Sequence, residues 1–129
     1  MANIYKKPVV SIDSGLSEGV YAASGSGTLD VKYVMVWDRW GTNGGKVLAQ
    51  LDWAGLNGIV TVHVNFNDTV DQVEYATDVP GASGSVSGST ATLTFNTADA
   101  PQTIMFGIHL NHGTSIDNLQ ITGFTYSVK

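Results

Sequence analysis

All three tryptophans of this 129-residue chain lie in the stretch 37–53, where their types and spacing indicate a binding surface. Trp40 occupies a polar, glycine-rich loop (38–45), where a large ring is least easily explained as core. We predict a strand on each side of this loop and expect Trp37 and Trp53 at the strand ends that meet it. An exposed indole offers the C–H face of a saccharide ring broad apolar contact at little cost in rotamer entropy. The three rings are therefore predicted to form one sugar-stacking patch.

Polar side chains on the neighbouring strands can supply the hydrogen bonds that sugar hydroxyls need. Gln50 and Asp52 alternate outward on the strand that carries Trp53. His63 and Asn65 do the same on the next strand, opposite an apolar face. The predicted ligand-binding residues are Trp37, Trp40, Trp53, Gln50, Asp52, His63 and Asn65.

The alternative for the aromatic residues is that one or two of them belong to the core. Trp37 is in phase with Tyr33 and Met35. Val34 and Val36, on the opposite face of the same strand, are also apolar. The alternation of side chains along a strand therefore leaves open which side of this strand is buried.

Catalytic alternatives have weaker support in the sequence. Glycoside hydrolysis needs two carboxylates at a set separation, and the two glutamates, Glu18 and Glu74, have no apolar pocket pattern around them. Asp38 and Asp52 flank the tryptophan stretch and are the pair that could face each other across the hairpin. Segment 84–88 approaches a nucleophile elbow in composition, but it sits in a turn with no helix beside it. We expect no catalytic residue in this chain.

We expect no metal site and no cofactor. The chain has no cysteine, which excludes disulfides and zinc–thiolate sites. His63, His109 and His112 would have to converge to bind copper or zinc, and exposed strand histidines are the ordinary alternative. Loop oxygens around Asp117 and Asn118 leave structural calcium open.

Apolar residues recur with a period of two, and no amphipathic helix pattern of convincing length occurs. Short strands separated by turn residues predict an all-β protein, a two-sheet antiparallel β-sandwich of jelly-roll-like form. With no repeat and no internal boundary, residues 1–129 are predicted to form a single domain. The predicted strands are 7–12, 19–22, 29–37, 46–53, 60–66, 70–77, 91–96, 103–111 and 119–128, with a hairpin turn at Ser87-Gly88 and a bulge at Gly123.

Composition and charge restrict the partners. The formal net charge is −5 and 13% of the residues are charged, which argues against nucleic acid and anionic membranes, because both need clustered Lys and Arg. No apolar run reaches the ~20 residues of a membrane span. A surface rich in Gly, Ser, Thr and Asn is typical of extracellular β-proteins. We expect a secreted, extracellular monomer, whose signal peptide would precede this sequence.

From about Val34 onward the chain resembles the family-two cellulose- and xylan-binding β-sandwiches. These are carbohydrate-binding modules of bacterial plant-cell-wall-degrading, cellulosomal-type enzymes. Trp40 matches a ligand-stacking tryptophan of that family, whereas Ile59 and segment 99–100 stand where the family has its other two. The similar segments are a strand with a loop tryptophan, the next strand, a polar strand, a Ser-Gly hairpin, a Phe-Gly segment and the closing strand: 36–45, 58–66, 70–73, 84–95, 106–108 and 119–123.

The resemblance implies non-catalytic binding of plant cell-wall β-glucan chains, β-1,4 or mixed-linked, with xyloglucan or xylan as further ligands. It also implies a covalently linked glycoside hydrolase, which such a module would hold near its substrate by raising the local concentration. Because two of the family's tryptophans and its bridging cysteines are replaced, soluble or amorphous glucan is favoured over crystalline cellulose. Two other classes stay open: an extracellular adhesin or scaffold-type protein-interaction module, and a small enzyme.

Overall fold

The fold is described by a computed structural model over residues 27–113 and 115–129. The strands predicted at 7–12 and 19–22 lie outside the described residues. The described elements are β1 Thr28–Arg39, β2 Gly45–Ala54, β3 Ile59–Phe66, β4 Gln72–Tyr75, β5 Ser83–Ser87, β6 Thr90–Asn96, β7 Thr103–Leu110, a 3₁₀ helix Ile116–Asn118 and β8 Ile121–Val128.

These strands form two four-stranded antiparallel sheets. The first sheet has the order β1-β2-β7-β4 and the second the order β5-β6-β3-β8. The pairs β2–β7 and β3–β6 join strands that are distant in sequence, and the nesting of the second pair within the first is that of a jelly roll. The predicted two-sheet β-sandwich is confirmed for the part of the chain that the structure describes.

Alternation along the strands places one apolar row of each strand in the space between the sheets. Val60, Val62 and Val64 of β3 are fully buried there, as are Ile104 and Phe106 of β7. Each such side chain contributes about 1.5–3 kcal/mol relative to an exposed position, so these rows hold the two layers together. The residues between them in sequence point outward and make up the outer faces of the two sheets.

The hairpin and bulge predicted from glycine are present, and the polar strand is shorter than predicted. Ser87 pairs with Thr90 across the β5–β6 turn, where Gly88 has a positive φ of 59°. The pairing of β8 with β3 shifts next to Gly123, which is the predicted bulge. The strand predicted at 70–77 is limited to β4, Gln72–Tyr75.

Candidate functional site

Trp37 lies on the outer face of the first sheet and is 50% exposed. The pairing of β1 with β2 shifts register twice, and Val34 and Trp37 are the residues left without a partner. Each shift changes which side of the sheet the following residues face. The ordinary alternation therefore fails on β1, which is why the phase of its apolar residues could not show which side is buried.

Lys46 of β2 connects Trp37 to the centre of this face. Its ammonium Nζ lies 5.1 Å from the centre of the Trp37 ring, within the range of a cation–π interaction. The same Nζ lies 3.6 Å from Oε2 of Glu74 on β4. A mostly buried cation thus occupies one side of the indole, and this contact orients a ring that remains half exposed.

The contacts continue from Glu74 to the second tryptophan. Oε1 of Glu74 lies 2.6 Å from Nε2 of His109, and the hydrogen bond lowers the pKa of Glu74 below its ordinary value. The positive charge of Lys46 acts in the same direction. The Trp40 ring meets the His109 ring edge-on, with ring centres 5.4 Å apart. We call these five residues, Trp37, Lys46, Glu74, His109 and Trp40, the tryptophan surface.

Gly107 makes the connection across three strands sterically feasible. It pairs with Leu48 of β2 on one side and with Glu74 of β4 on the other. A Cβ atom here would stand 3.2 Å from Cδ of Lys46 and 3.5 Å from Cγ of Glu74. Because Gly107 has no side chain, it leaves the space through which Lys46 reaches Glu74. Sequence reasoning missed the roles of Lys46, Glu74 and Gly107, since only the order of the strands brings them together.

The loop that carries Trp40 is fixed to the end of β7. The amide of Trp40 donates to the carbonyl of Gly44 over 2.9 Å, and the amide of Gly44 donates to the carbonyl of Gly113 over 2.9 Å. Gly44 has a φ of 89°, and a Cβ atom there would stand 1.7 Å from the carbonyl oxygen of Leu110. Only glycine fits this approach, so Gly44 sets the position of the Trp40 loop.

A second contact holds the end of β1 beside this loop. The Arg39 guanidinium donates two hydrogen bonds to the Asp117 carboxylate, over 2.6 and 3.1 Å. The same pairing lowers the pKa of Asp117. Both carboxylate oxygens of Asp117, around which the sequence left structural calcium open, are therefore engaged by Arg39. Among the described residues, no group of three or more His, Cys, Asp or Glu side chains is arranged to hold a metal ion.

Gln50 and Asp52 share the outer face with the tryptophan surface but lie further along β2. The amide of Gln50 donates to both oxygens of Asp52, over 3.1 and 2.9 Å. The hydroxyl of Thr103 donates to Asp52 over 2.7 Å. Leu48 separates this polar group from Lys46 on the same strand.

Trp53 is not part of the tryptophan surface, and the expectation that all three rings form one patch is wrong. β2 runs away from the Trp40 loop, so Trp53 stands at the far end of that strand, opposite Leu29. It is separated from Lys46 by about 23 Å at the usual rise per strand residue. Its indole N–H donates to the carbonyl of Pro101 over 2.7 Å, and its ring packs against Phe95. Trp53 closes the end of the core.

His63 and Asn65 lie on the outer face of the second sheet, on the opposite side of the molecule from the tryptophan surface. His63 contacts the hydroxyl of Thr92 over 2.9 Å, and Asn65 accepts a hydrogen bond from Thr90 over 2.8 Å. The structure therefore does not bring these two residues together with the tryptophans. The next strand in the sequence is not the next strand in the sheet, because β2 pairs with β7 rather than β3.

The carboxylate pair considered for catalysis is not formed. Asp38 pairs with Lys46 at one end of the β1–β2 ladder, and Asp52 pairs with Asp30 near the other. The expectation that Asp38 and Asp52 face each other across the hairpin is wrong, because antiparallel pairing carries the two residues to opposite ends of it. Asp30 is exposed, and partial desolvation raises the pKa of its carboxyl group.

Comparisons with known proteins do not identify the function of this chain. No protein-family model and no curated protein matches the chain. The chain is similar to a solved structure, the chitin-binding domain of a chitinase from Pyrococcus furiosus, with 21% identity and a TM-score of 0.45 over 81% of this chain and 94% of that domain. A similarity this low carries no argument about function. Within the described ranges, no helix is long and apolar enough to cross a membrane.

Proposed function

We propose that this chain binds a polysaccharide without transforming it, and that the tryptophan surface is the binding site. One observation carries the proposal: the half-exposed Trp37 indole is oriented by Lys46 within a set of contacts that ends at Trp40. A ring held in this way loses little further freedom when a sugar stacks on it. The paired charges beside it offer hydrogen bonds to the sugar hydroxyls.

The composition of the face supports a chain of pyranose rings as the ligand. Met35, which is 52% exposed, and Leu48 lie in one row across β1 and β2 beside Trp37. Gln50 and Asp52 lie on the far side of that row from Lys46. An apolar strip between two polar groups matches a glucan or xylan chain, which presents C–H faces along its length and hydroxyls at its sides.

The finer parts of the proposal are β-glucan as the preferred ligand and delivery of an attached hydrolase to it outside the cell. Each stacked aromatic ring contributes about 0.5–1.5 kcal/mol beyond its area burial. With one or two rings engaged, we expect a dissociation constant in the micromolar range or weaker. Attachment to a hydrolase would turn this modest affinity into a high local concentration of enzyme on the polymer.

Affinity electrophoresis tests the proposal with mixed-linked β-glucan, xylan or soluble chitin in the gel. The wild-type chain is expected to migrate more slowly in at least one of these gels, and Trp37→Ala to migrate freely. His63→Ala is the matched control, since it removes an exposed ring from the opposite face, and it is expected to behave as wild type. Free migration of the wild type in every gel, or unchanged retardation of Trp37→Ala, would overturn the proposal.

A protein-interaction module is the second candidate, and the exposed side chains of β1 favour it. Val34 is 39% exposed and Met35 is 52% exposed, close to Trp37 on β1, which lies at the edge of its sheet among the described strands. Aromatic and methionine side chains are enriched in protein interfaces. Unretarded migration across the whole polysaccharide panel, with a correctly folded chain, is the result that would favour this candidate.

A further inference from the structure

A cleft of about 220 Å³ opens at the end of the sandwich where the Trp40 loop lies. Leu110 and Leu119 form its floor, and both belong to the core, with 3% and 2% of their surfaces exposed. The rim is polar and comes from the loops at the ends of both sheets: Asp68, His112, Ser115 and Asn118. The floor of the cleft is therefore part of the hydrophobic core.

The wall of the cleft is held by a fixed side chain. The amide nitrogen of Asn67 donates to the backbone carbonyl of Asn118 over 2.9 Å. Its side-chain oxygen accepts from the backbone amide of Gln120 over 2.8 Å. These two bonds tie the end of β3 to the start of β8, so the cleft does not depend on ligand to keep its shape.

An oriented imidazole stands at the rim. Nε2 of His112 lies 3.5 Å from a carboxylate oxygen of Asp68, and Nδ1 lies 3.3 Å from one of Asp71. The same oxygen of Asp71 accepts from the backbone amide of Asn111 over 2.6 Å. Carboxylates on two sides position a ring that is itself about half exposed.

Two further polar side chains at the rim are unused. The side-chain amide of Asn118 and the hydroxyl of Ser115 make no hydrogen bond with any other described residue. With Asp68 and His112 they give the cleft both donors and acceptors above an apolar floor. This combination fits a small polyhydroxylated ring, whose C–H groups contact the leucines and whose hydroxyls meet the rim.

We propose that the cleft binds the terminal pyranose ring of a glycan chain. Its volume lies below the roughly 300–1,000 Å³ of typical ligand pockets, which limits it to about one ring. A terminal ring has one glycosidic bond and an interior ring has two, so a cleft with room for about one ring favours the terminal ring. The inference rests on the proposed function in taking the ligand to be a saccharide, but it uses a different set of residues.

The cleft and the tryptophan surface meet at one segment of backbone. Gly113 lines the cleft, and the Trp40 loop is bonded to it through the amide of Gly44 and the bridge from Asn43. His109, of the tryptophan surface, and His112, of the cleft, belong to the same end of β7 and its following loop. A glycan with a free terminal ring could therefore meet both the cleft and the tryptophan surface at the same end of the protein.

Titration calorimetry with short β-1,4-linked gluco- and xylo-oligosaccharides tests this inference, alongside affinity electrophoresis in long-chain glucan and xylan. Asn118→Ala removes one polar group from the rim, and Asp68→Asn replaces a carboxylate of the rim with an amide. Both keep the Asn67 contacts, because the side chain of Asn67 bonds the backbone carbonyl of Asn118 and the backbone amide of Gln120, not the side chains that are changed. We expect each variant to weaken binding of a short oligosaccharide about three- to tenfold, as for loss of one or two hydrogen bonds. Retardation by the long polymer, which has few ends, should stay unchanged.

The outcomes separate the cleft from the tryptophan surface. If both rim variants bind short oligosaccharides as tightly as wild type does, while Trp37→Ala alone loses long-chain binding, the cleft is not a sugar site and the proposed function stands. If the wild type binds neither short nor long saccharides of either kind, both proposals fail. A melting temperature within a few degrees of wild type for each variant confirms that the comparison is between folded chains.

Discussion

The outer faces of the two sheets carry different side chains. On the first sheet, Trp37, Lys46, Glu74 and His109 face outward and contact one another across all four strands. On the second sheet, the regular alternation turns a nearly uniform set of small hydroxylated side chains outward, with His63 and Asn65 among them. Its members are Thr61, Thr90, Thr92, Thr94, Thr125, Ser83, Ser85, Ser87 and Ser127.

The difference shows that strand order, not local pattern, builds the candidate site. Threonine and serine pair with their neighbours across the second sheet and offer no broad apolar area. The first face has a glycine at its centre, Gly107, and this lets a lysine cross one strand to reach a glutamate on the next. The first three predictions below each match a change on the first face, or in the loop beside it, with a similar change on the second.

The largest effect is expected from Gly44→Ala in the Trp40 loop. The new side chain would require a strained backbone and would meet the carbonyl of Leu110, so we expect a loss of about 3 kcal/mol in the free energy of unfolding. Gly88→Ala, in the β5–β6 hairpin, has a similar positive φ but open space around it, and should cost about 1 kcal/mol. Urea denaturation of both variants measures the two losses. Equal losses would contradict the anchoring role of Gly44.

Trp37→Ala is expected to reduce affinity for the retarding polysaccharide by about tenfold or more, which corresponds to roughly 1.4 kcal/mol. Its effect on the free energy of unfolding should be small, because the ring lies on the surface. His63→Ala should change neither quantity. Retardation coefficients over a series of polymer concentrations give the affinities. A loss of binding in His63→Ala would indicate that the binding site lies on the second sheet instead.

Gly107→Ala is expected to weaken binding by about two- to threefold, because the added methyl group displaces Lys46 from Glu74 and so loosens Trp37. Gly123→Ala, on β8 of the second sheet, has open space at its Cβ position and should bind as wild type does. The quenching of tryptophan fluorescence by acrylamide reports the change directly. Unchanged quenching and affinity in Gly107→Ala would show that Lys46 does not orient the ring.

The smallest effect concerns pH. The hydrogen bond from His109 lowers the pKa of Glu74 from its ordinary value of 4.5, so the carboxylate favours the folded chain above that pH. This contribution is lost as the pH falls below 4.5 through the lowered pKa in the folded state. Glu74 is partly exposed, so we expect only a slight fall in urea midpoint between pH 5 and 3. The fall should be shallower in Glu74→Gln, and an identical pH profile in that variant would count against the ion-pair contacts.

The alternation of single strands was enough to predict much of this fold. The buried rows of β3, β6 and β7 are the ones that the sequence pattern indicates, because side chains alternate strictly wherever pairing is regular. Trp40 was correctly assigned to a loop beside glycine. β1 could not be oriented in this way, since the bulges at Val34 and Trp37 interrupt the period.

Strand composition and turn chemistry determined by themselves that this chain forms a two-sheet β-sandwich with a tryptophan loop, since both act between residues close in sequence. Only the tertiary structure decided which polar residues share a face with Trp37. His63 and Asn65 lie on the next strand in the sequence but not on this face. Glu74 and His109 are distant in the sequence but lie on strands of the same sheet as Trp37. The reason is that β2 pairs with β7, so the neighbours of a strand are set by the packing of the whole sandwich and not by the order of its strands along the chain.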